Sequence, residues 1–321
     1  MAQPLDWSLA RAPTAFAFDD DALRAWCARV GLPPPPSPVA SGRPFGAADA
    51  ALLTLLVGAQ ARSIPFENFD VALRRHVALE PPALLAKLVA RRRGGFCLEN
   101  NGLLAYALRA AGFTVRLRHA RVWMRAASYT PLEPPMPRQH QVLVVRCDAA
   151  GDGEFLVDVG FGGGGPAAPL PLAAAGPARA GGDLFRMTRG DASAGEDSWL
   201  LWGVQNGAWL LLYSFEHTGL DSPVVHASDF LLCSHFVQLA PGTLFHKLVF
   251  ASLPTSDGRL TLVHRDVRRR GAERLGELPA VEVTPLADAR AFRAAAAQLF
   301  GIDLDDAQAD VLFAASAAPA Q

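Results

Sequence analysis

The chain has 321 residues, half of them hydrophobic, and a formal net charge of −1. That length supports a sizeable core shared by two or three subdomains, and the near-neutral charge excludes the strongly basic face of a nucleic-acid or membrane-surface binder. Cys27, Cys97, Cys147 and Cys233 are far apart and form no Cys-x-x-Cys pair. No zinc-type ligand set is therefore expected, and a reducing, cytoplasmic compartment fits best. The first residues, MAQPLDWSLARAPTAF, lack a basic start followed by an apolar run, so no signal peptide is expected.

In chain order, residues 18–31 read as a first helix, with Asp19, Asp20 and Asp21 at its favourable end and Gly31 at its stop. The proline run at 33–38 is a connector, and a second helix is expected over 46–61. Pro65 then makes Ser63–Asp70 extended or turning. Glu67 and Asn68, wedged between Phe66 and Phe69, fit two readings. One is a loop that packs its aromatics and exposes its polar atoms; the other is a pocket wall with a buried carboxylate. A further helix is expected over 81–90.

Residues 91–112, RRRGGFCLENNGLLAYALRAAG, are the most informative stretch. Leu104, Ala107, Leu108 and Ala111 have one-face helical spacing, which puts Cys97 at or just before a helix N-terminus. Unpaired N–H groups there, the helix dipole and the neighbouring Arg91, Arg92 and Arg93 all favour a thiolate.

After Gly112 the period changes to that of strands. Val115, Leu117, His119, Arg121 and Trp123 alternate, a proline-rich loop follows at 130–137, and QVLVVRC (141–147) and EFLVDVGF (154–161) flank a turn at 148–153. If Arg146 faces Glu154, then His140, just before the first strand, lies opposite Gly160. Asp158, inside the second, becomes its diagonal neighbour on the same face, about 7–8 Å away at Cα. A slip of one residue would separate them. Cys97, His140 and Asp158 together supply a nucleophile, a base and a group that orients the base.

Four glycines, Gly162 to Gly165, leave this strand. Successive unencumbered N–H groups there suit a phosphate or pyrophosphate, although a flexible loop reads the same way. Neither a P-loop nor a dinucleotide fingerprint is present. Residues 199–215 read as two strands around Asn206-Gly207, too short and interrupted for a membrane span. Strand-like segments continue to about 265, including LFHKLVFASLP (244–254) and GRLTLVHRDV (258–267), with Ser234, His235 and Phe236 in a loop able to cover a cleft. A helix over 287–299 and a short Ala-rich one close the chain.

IPFENFD (64–70), RRRGGFCLENNG (91–102), PRQHQVLVV (137–145), FLVDVGFGG (155–163) and, more weakly, SLPTSDGRLTL (252–262) resemble the arylamine N-acetyltransferases. The resemblance implies an α+β fold on a papain-like cysteine-protease-type core. Its parts are a helical bundle with the nucleophile (1–113), a β-barrel with the base and the orienting Asp (114–222), and an α/β lid with the C-terminal helix (223–321). It assigns a catalytic triad to Cys97, His140 and Asp158, with acetyl-CoA as donor and no metal. A ping-pong reaction through acetyl-Cys97 is implied, acting on arylamines, arylhydrazines or N-hydroxyarylamines, as in xenobiotic metabolism. Gly162, Gly163 and Gly164 would lie near the CoA pyrophosphate, and Phe66, Phe161 and Phe236 would contact the acceptor. Arg93 and Glu67 look like a supporting ion pair, and the chain would be a monomer or homodimer. The loop at 132–139 is longer than usual, and Gln139 stands where Thr or Ser is common, which bears on acceptor preference. An ansamycin-type amide synthase, joining an aromatic amine to a carrier-bound polyketide, shares the triad and is the alternative.

Overall fold

The computed structural model describes residues 18–125, 137–147, 153–174, 176–190, 198–219, 222–240 and 243–317. The opening residues, nearly all of the proline-rich loop and the 148–152 part of the hairpin turn lie outside them. Helix α1 (Asp20–Val30) starts where Asp19 accepts a hydrogen bond from the Ala22 N–H, and α2 (Ala50–Ser63) starts where Asp49 does the same for Leu52. That cap explains why α2 begins four residues later than its apolar pattern suggests. A short strand β1 (Phe66–Glu67) and a turn of helix α3 (Phe69–Ala72) follow. Helix α4 (Pro81–Leu84) runs on as a π-helical stretch over Leu85–Ala90, and α5 (Cys97–Ala110) carries the central cysteine. Trp26 Nε1 donates to Gln60 Oε1 at 2.8 Å, and Gln60 Nε2 donates to the Asn100 carbonyl at 2.8 Å, tying α1, α2 and α5 together inside their apolar core.

The middle of the chain forms strands β2 (Thr114–Arg125), β3 (Arg138–Arg146), β4 (Glu154–Val157), β5 (Leu170–Pro171), β6 (Ala178–Ala180), β7 (Asp183–Arg189), β8 (Ser198–Gln205) and β9 (Ala208–Glu216). They make one antiparallel, nearly closed, barrel-like sheet in the order β5-β4-β3-β2-β9-β8-β7-β6. The β3–β4 register pairs Arg146 with Glu154 and Leu143 with Val157, as the hairpin reading requires. Two details differ. His140 lies within β3, and β4 stops at Val157, so Asp158 is just beyond the strand. The ladder ends there because its donors are diverted: the Gly160 N–H bonds back to Asp158 Oδ1 and the Val159 N–H goes to Asn101 Oδ1. Asn206 and Gly207, at φ 50° and 78°, form the expected tight turn between β8 and β9.

Residues 230–239, expected as loop and strand, are helix α6 (Phe230–Leu239). Phe230, Cys233, Ser234, Val237 and Gln238 are buried on one face, and that spacing is helical. The stretch 244–254 also divides, into α7 (Leu244–Lys247) and β10 (Phe250–Pro254). Likewise 258–267 turns at His264 between β11 (Gly258–Val263) and β12 (Asp266–Gly271). With β13 (Val281–Pro285), these strands extend β1 into a five-stranded antiparallel sheet ordered β1-β10-β11-β12-β13. Helices α8 (Ala289–Phe300) and α9 (Asp306–Ala315) pack with it around Phe69, Leu262, Phe292 and Leu312. Among the described residues, no helix is long and apolar enough to cross a membrane.

Candidate active site

Cys97 is the first residue of α5. The Glu99 carboxylate accepts the Phe96 N–H at 3.0 Å and so fixes this helix start. The backbone N–H groups of Leu98 and of Gln141, the residue after His140, favour a thiolate at this sulfur. Gly160 closes the site from the β4 side: a Cβ there would lie 2.7 Å from the Cys97 Cα, so only glycine lets the two segments approach this closely. His140 Nε2 and Asp158 Oδ2 are 2.8 Å apart and both side chains are buried. Asp158 Oδ1 accepts from Asn101 Nδ2 at 2.9 Å and from the Gly160 N–H at 2.8 Å. Asn101 Nδ2 also donates to the Gln141 carbonyl at 2.6 Å. The helix bearing Cys97 and the hairpin bearing His140 and Asp158 are thus fastened together at the site.

Burial by itself would raise the Asp158 carboxyl, but the His140 ring, Asn101 and the Gly160 N–H together hold it below the ordinary carboxylate range. Cys97 goes the other way. It is 4% exposed, and burial, with Cys233 and Asp158 nearby, pushes its thiol well up against the two N–H groups that favour the thiolate. The arginines expected to lower it do not. Arg91 and Arg92 are exposed. Arg93 bonds Glu67 Oε1 at 2.8 Å and Asp70 Oδ1 at 3.3 Å, which is the supporting pair with Glu67 plus a second carboxylate. Lys87 joins Asp70 at 2.7 Å to Glu99 at 2.8 Å. Glu67 and Asn68 are buried, which settles the Phe66–Phe69 stretch as a wall carrying a buried carboxylate.

A narrow cleft borders this centre, lined by Phe66, Asp158, Phe161, Gly162, Gly165 and Arg259 among others; Cys97 and His140 are not on its lining. The Phe161 ring lies edge-on to His140 at 5.4 Å, and Tyr213 packs 5.2 Å from both rings. The glycine run is packed and shaped: Gly162 has φ +84° beside the Phe66 ring, Gly163 lies against Phe250, and Gly164 against Gln205. Phe236 stands apart, on the outer face of α6 and 42% exposed. Two neighbours of the centre are given no role by the sequence, although Asn101 lies within RRRGGFCLENNG. Asn101 follows Cys97 by one helical turn, and this polar residue on a buried face is a usable signal. Tyr213 is a fully buried tyrosine in an apolar strand, and burial and the Asp158 charge push its hydroxyl well up.

A sequence model of the N-acetyltransferase family matches residues 49–309, a span holding all of these groups. The arylamine N-acetyltransferase of Mycolicibacterium smegmatis is 40% identical over 255 residues, covering 78% of this chain and 83% of the relative. The chain belongs to the arylamine N-acetyltransferase family. A second member, the arylamine N-acetyltransferase / N-hydroxyarylamine O-acetyltransferase of Salmonella typhimurium, is 34% identical over 69% of this chain and 73% of its own. The structure of the Mycobacterium marinum family member in complex with CoA superposes with a TM-score of 0.74. It is 29% identical, covering 91% of this chain and 98% of the other. Family membership makes the protein a transferase and agrees with its α+β architecture.

Proposed function

We propose that the protein moves an acetyl group from acetyl-CoA to the nitrogen of an arylamine or arylhydrazine, in ping-pong order, through a thioester on Cys97. The 2.8 Å bond between His140 Nε2 and Asp158 Oδ2 carries this reading, because it leaves Nδ1 of the same ring to take the Cys97 proton. A lone thiolate is disfavoured at this buried position. The proton therefore passes to His140 within the pair, and Asp158 stabilises the resulting imidazolium. The thiolate adds to the donor's thioester carbonyl, the carbon–sulfur bond to CoA breaks, and CoA leaves as the thiol with the proton from His140. In the second half the amine nitrogen attacks acetyl-Cys97, neutral His140 takes the amine proton, and that proton returns to the sulfur.

The residues present fit such a donor and acceptor. The segment Gly162–Gly164 offers close backbone approach beside a buried guanidinium, suited to a diphosphate, and Phe66 and Phe161 offer flat faces to an aromatic amine. Phe236 stands outside that set. An N-hydroxyarylamine oxygen could draw on the same thioester, in keeping with the name of the Salmonella relative. Intact-mass measurement after mixing with acetyl-CoA tests the reading: one acetyl adduct is expected, discharged by an arylamine and absent from Cys97→Ser. An adduct that persists in folded Cys97→Ser would falsify it, as would none in the parent protein.

A further inference from the structure

Arg259, on β11, is 5% exposed and lines the cleft. Its two terminal nitrogens donate to the Gly162 and Gly165 carbonyls, each at 2.7 Å, so one guanidinium holds both ends of the glycine run. Its Nε is buried without a hydrogen-bond partner. No ion pair to Arg259 occurs among the described residues, and the neighbouring Asp183 is taken by Arg270 at 2.9 Å and by the Glu273 N–H. Burial lowers its pKa to about 10, which leaves it cationic at neutral pH. An unpaired buried cation is costly to keep, and here it lies directly beneath a loop. A trans peptide holds its C=O and N–H on opposite sides. Drawing the Gly162 carbonyl toward Arg259 therefore turns the Gly163 N–H away from it.

We propose that Arg259 is a positioning residue for the donor half-reaction: it fixes the glycine run, and places a positive charge beneath it, for a donor that carries a diphosphate. This rests on the reading above, in which Cys97 is acetylated. The test compares two acetyl donors, acetyl-CoA and p-nitrophenyl acetate, which lacks any phosphate, by following the acetyl adduct on Cys97 against donor concentration. Arg259→Met is expected to raise the half-saturating concentration of acetyl-CoA about tenfold more than that of the ester, and Arg259→Lys to restore part of the difference. Equal losses with both donors would show a role in stability alone, and no loss with either would show none; each overturns the proposal. If Arg259→Met does not fold, Arg259→Lys carries the test, since it keeps the charge but not the two-carbonyl fork, and the same donor-dependent difference is required of it. Absence of any adduct in the parent protein with both donors would instead remove the thioester mechanism.

Discussion

Gly160→Ala probes the join between the helix that carries Cys97 and the hairpin that carries His140. The new Cβ would lie 2.7 Å from the Cys97 Cα, 2.9 Å from the Cys97 carbonyl oxygen and 2.9 Å from Asn101 Nδ2. Two of these are backbone atoms, which cannot swing aside. Reaching an ordinary contact of 3.4 Å requires the helix start and the hairpin to part by about 0.7 Å. Overpacking of this size costs about 1–3 kcal/mol of stability. A displacement near 1 Å between reacting groups can cost about a hundredfold, so a fall of about 30- to 100-fold in the acetylation rate of Cys97 is expected. The assay is the time course of the acetyl adduct by intact mass, beside a thermal melt. Gly176→Ala is the control, since its Cβ would meet nothing within 4 Å. Acetylation by folded Gly160→Ala within about twofold of the parent rate would refute the reasoning that this contact sets the geometry.

Three further substitutions examine the same assembly. Asn101→Ala removes a donor to Asp158 and to the Gln141 carbonyl and the acceptor for the Val159 N–H, so the urea midpoint should fall by the equivalent of about 3 kcal/mol; an unmoved midpoint contradicts this. Asp158 has a depressed folded pKa, so its contribution to stability is present above the ordinary carboxylate value of about 4 and is lost as pH falls through the folded value. Asp158→Asn should therefore flatten the acid side of a plot of Tm against pH, and parallel curves for the two proteins would count against it. Arg93→Met strands the Glu67 carboxylate, while Asp70 keeps Lys87, and should cost about 3–5 kcal/mol, with part recovered by adding Glu67→Gln in a double-mutant cycle; strict additivity would show that the pair is uncoupled.

What could be read from the letters alone depended on how local its cause was. The β3–β4 register followed from two alternating runs and a turn, and the start of α5 from apolar spacing. The end of β4 did not, because the donors that would extend it are claimed by Asp158 and by Asn101, and the second of these lies on a helix distant in sequence. Helix α6 was hidden by the polar Ser234-His235 pair, although Phe230, Cys233 and Val237 already carried a helical period. The arginines before Cys97 misled for the same reason in reverse. Their charge is visible in the sequence, but the carboxylates that neutralise Arg93 arrive from Glu67 and Asp70 only once the chain has folded.

That correction changes what must activate the sulfur. Beneath the start of α5 lie two cations, Lys87 and Arg93, and three carboxylates, Glu67, Asp70 and Glu99. Such a cluster offers no net positive field to a thiolate, and burial pushes Glu99 up to about 7, which would let one of its acids keep a proton near neutral pH. The cluster's visible work is mechanical: it anchors the Phe66–Asp70 wall, which contributes β1, against the loop leading into Cys97. The N–H groups of Leu98 at the helix start and of Gln141 on β3 are the nearby groups that lower the thiol, and burial outweighs them. On the mechanism proposed above, an anionic sulfur here depends on a cation made in place, by proton transfer to His140, with Asp158 on the ring's far nitrogen to balance it. The Asn101 and Gly160 contacts would serve that proposed transfer, since they hold the helix that bears Cys97 and the hairpin that bears His140 close together.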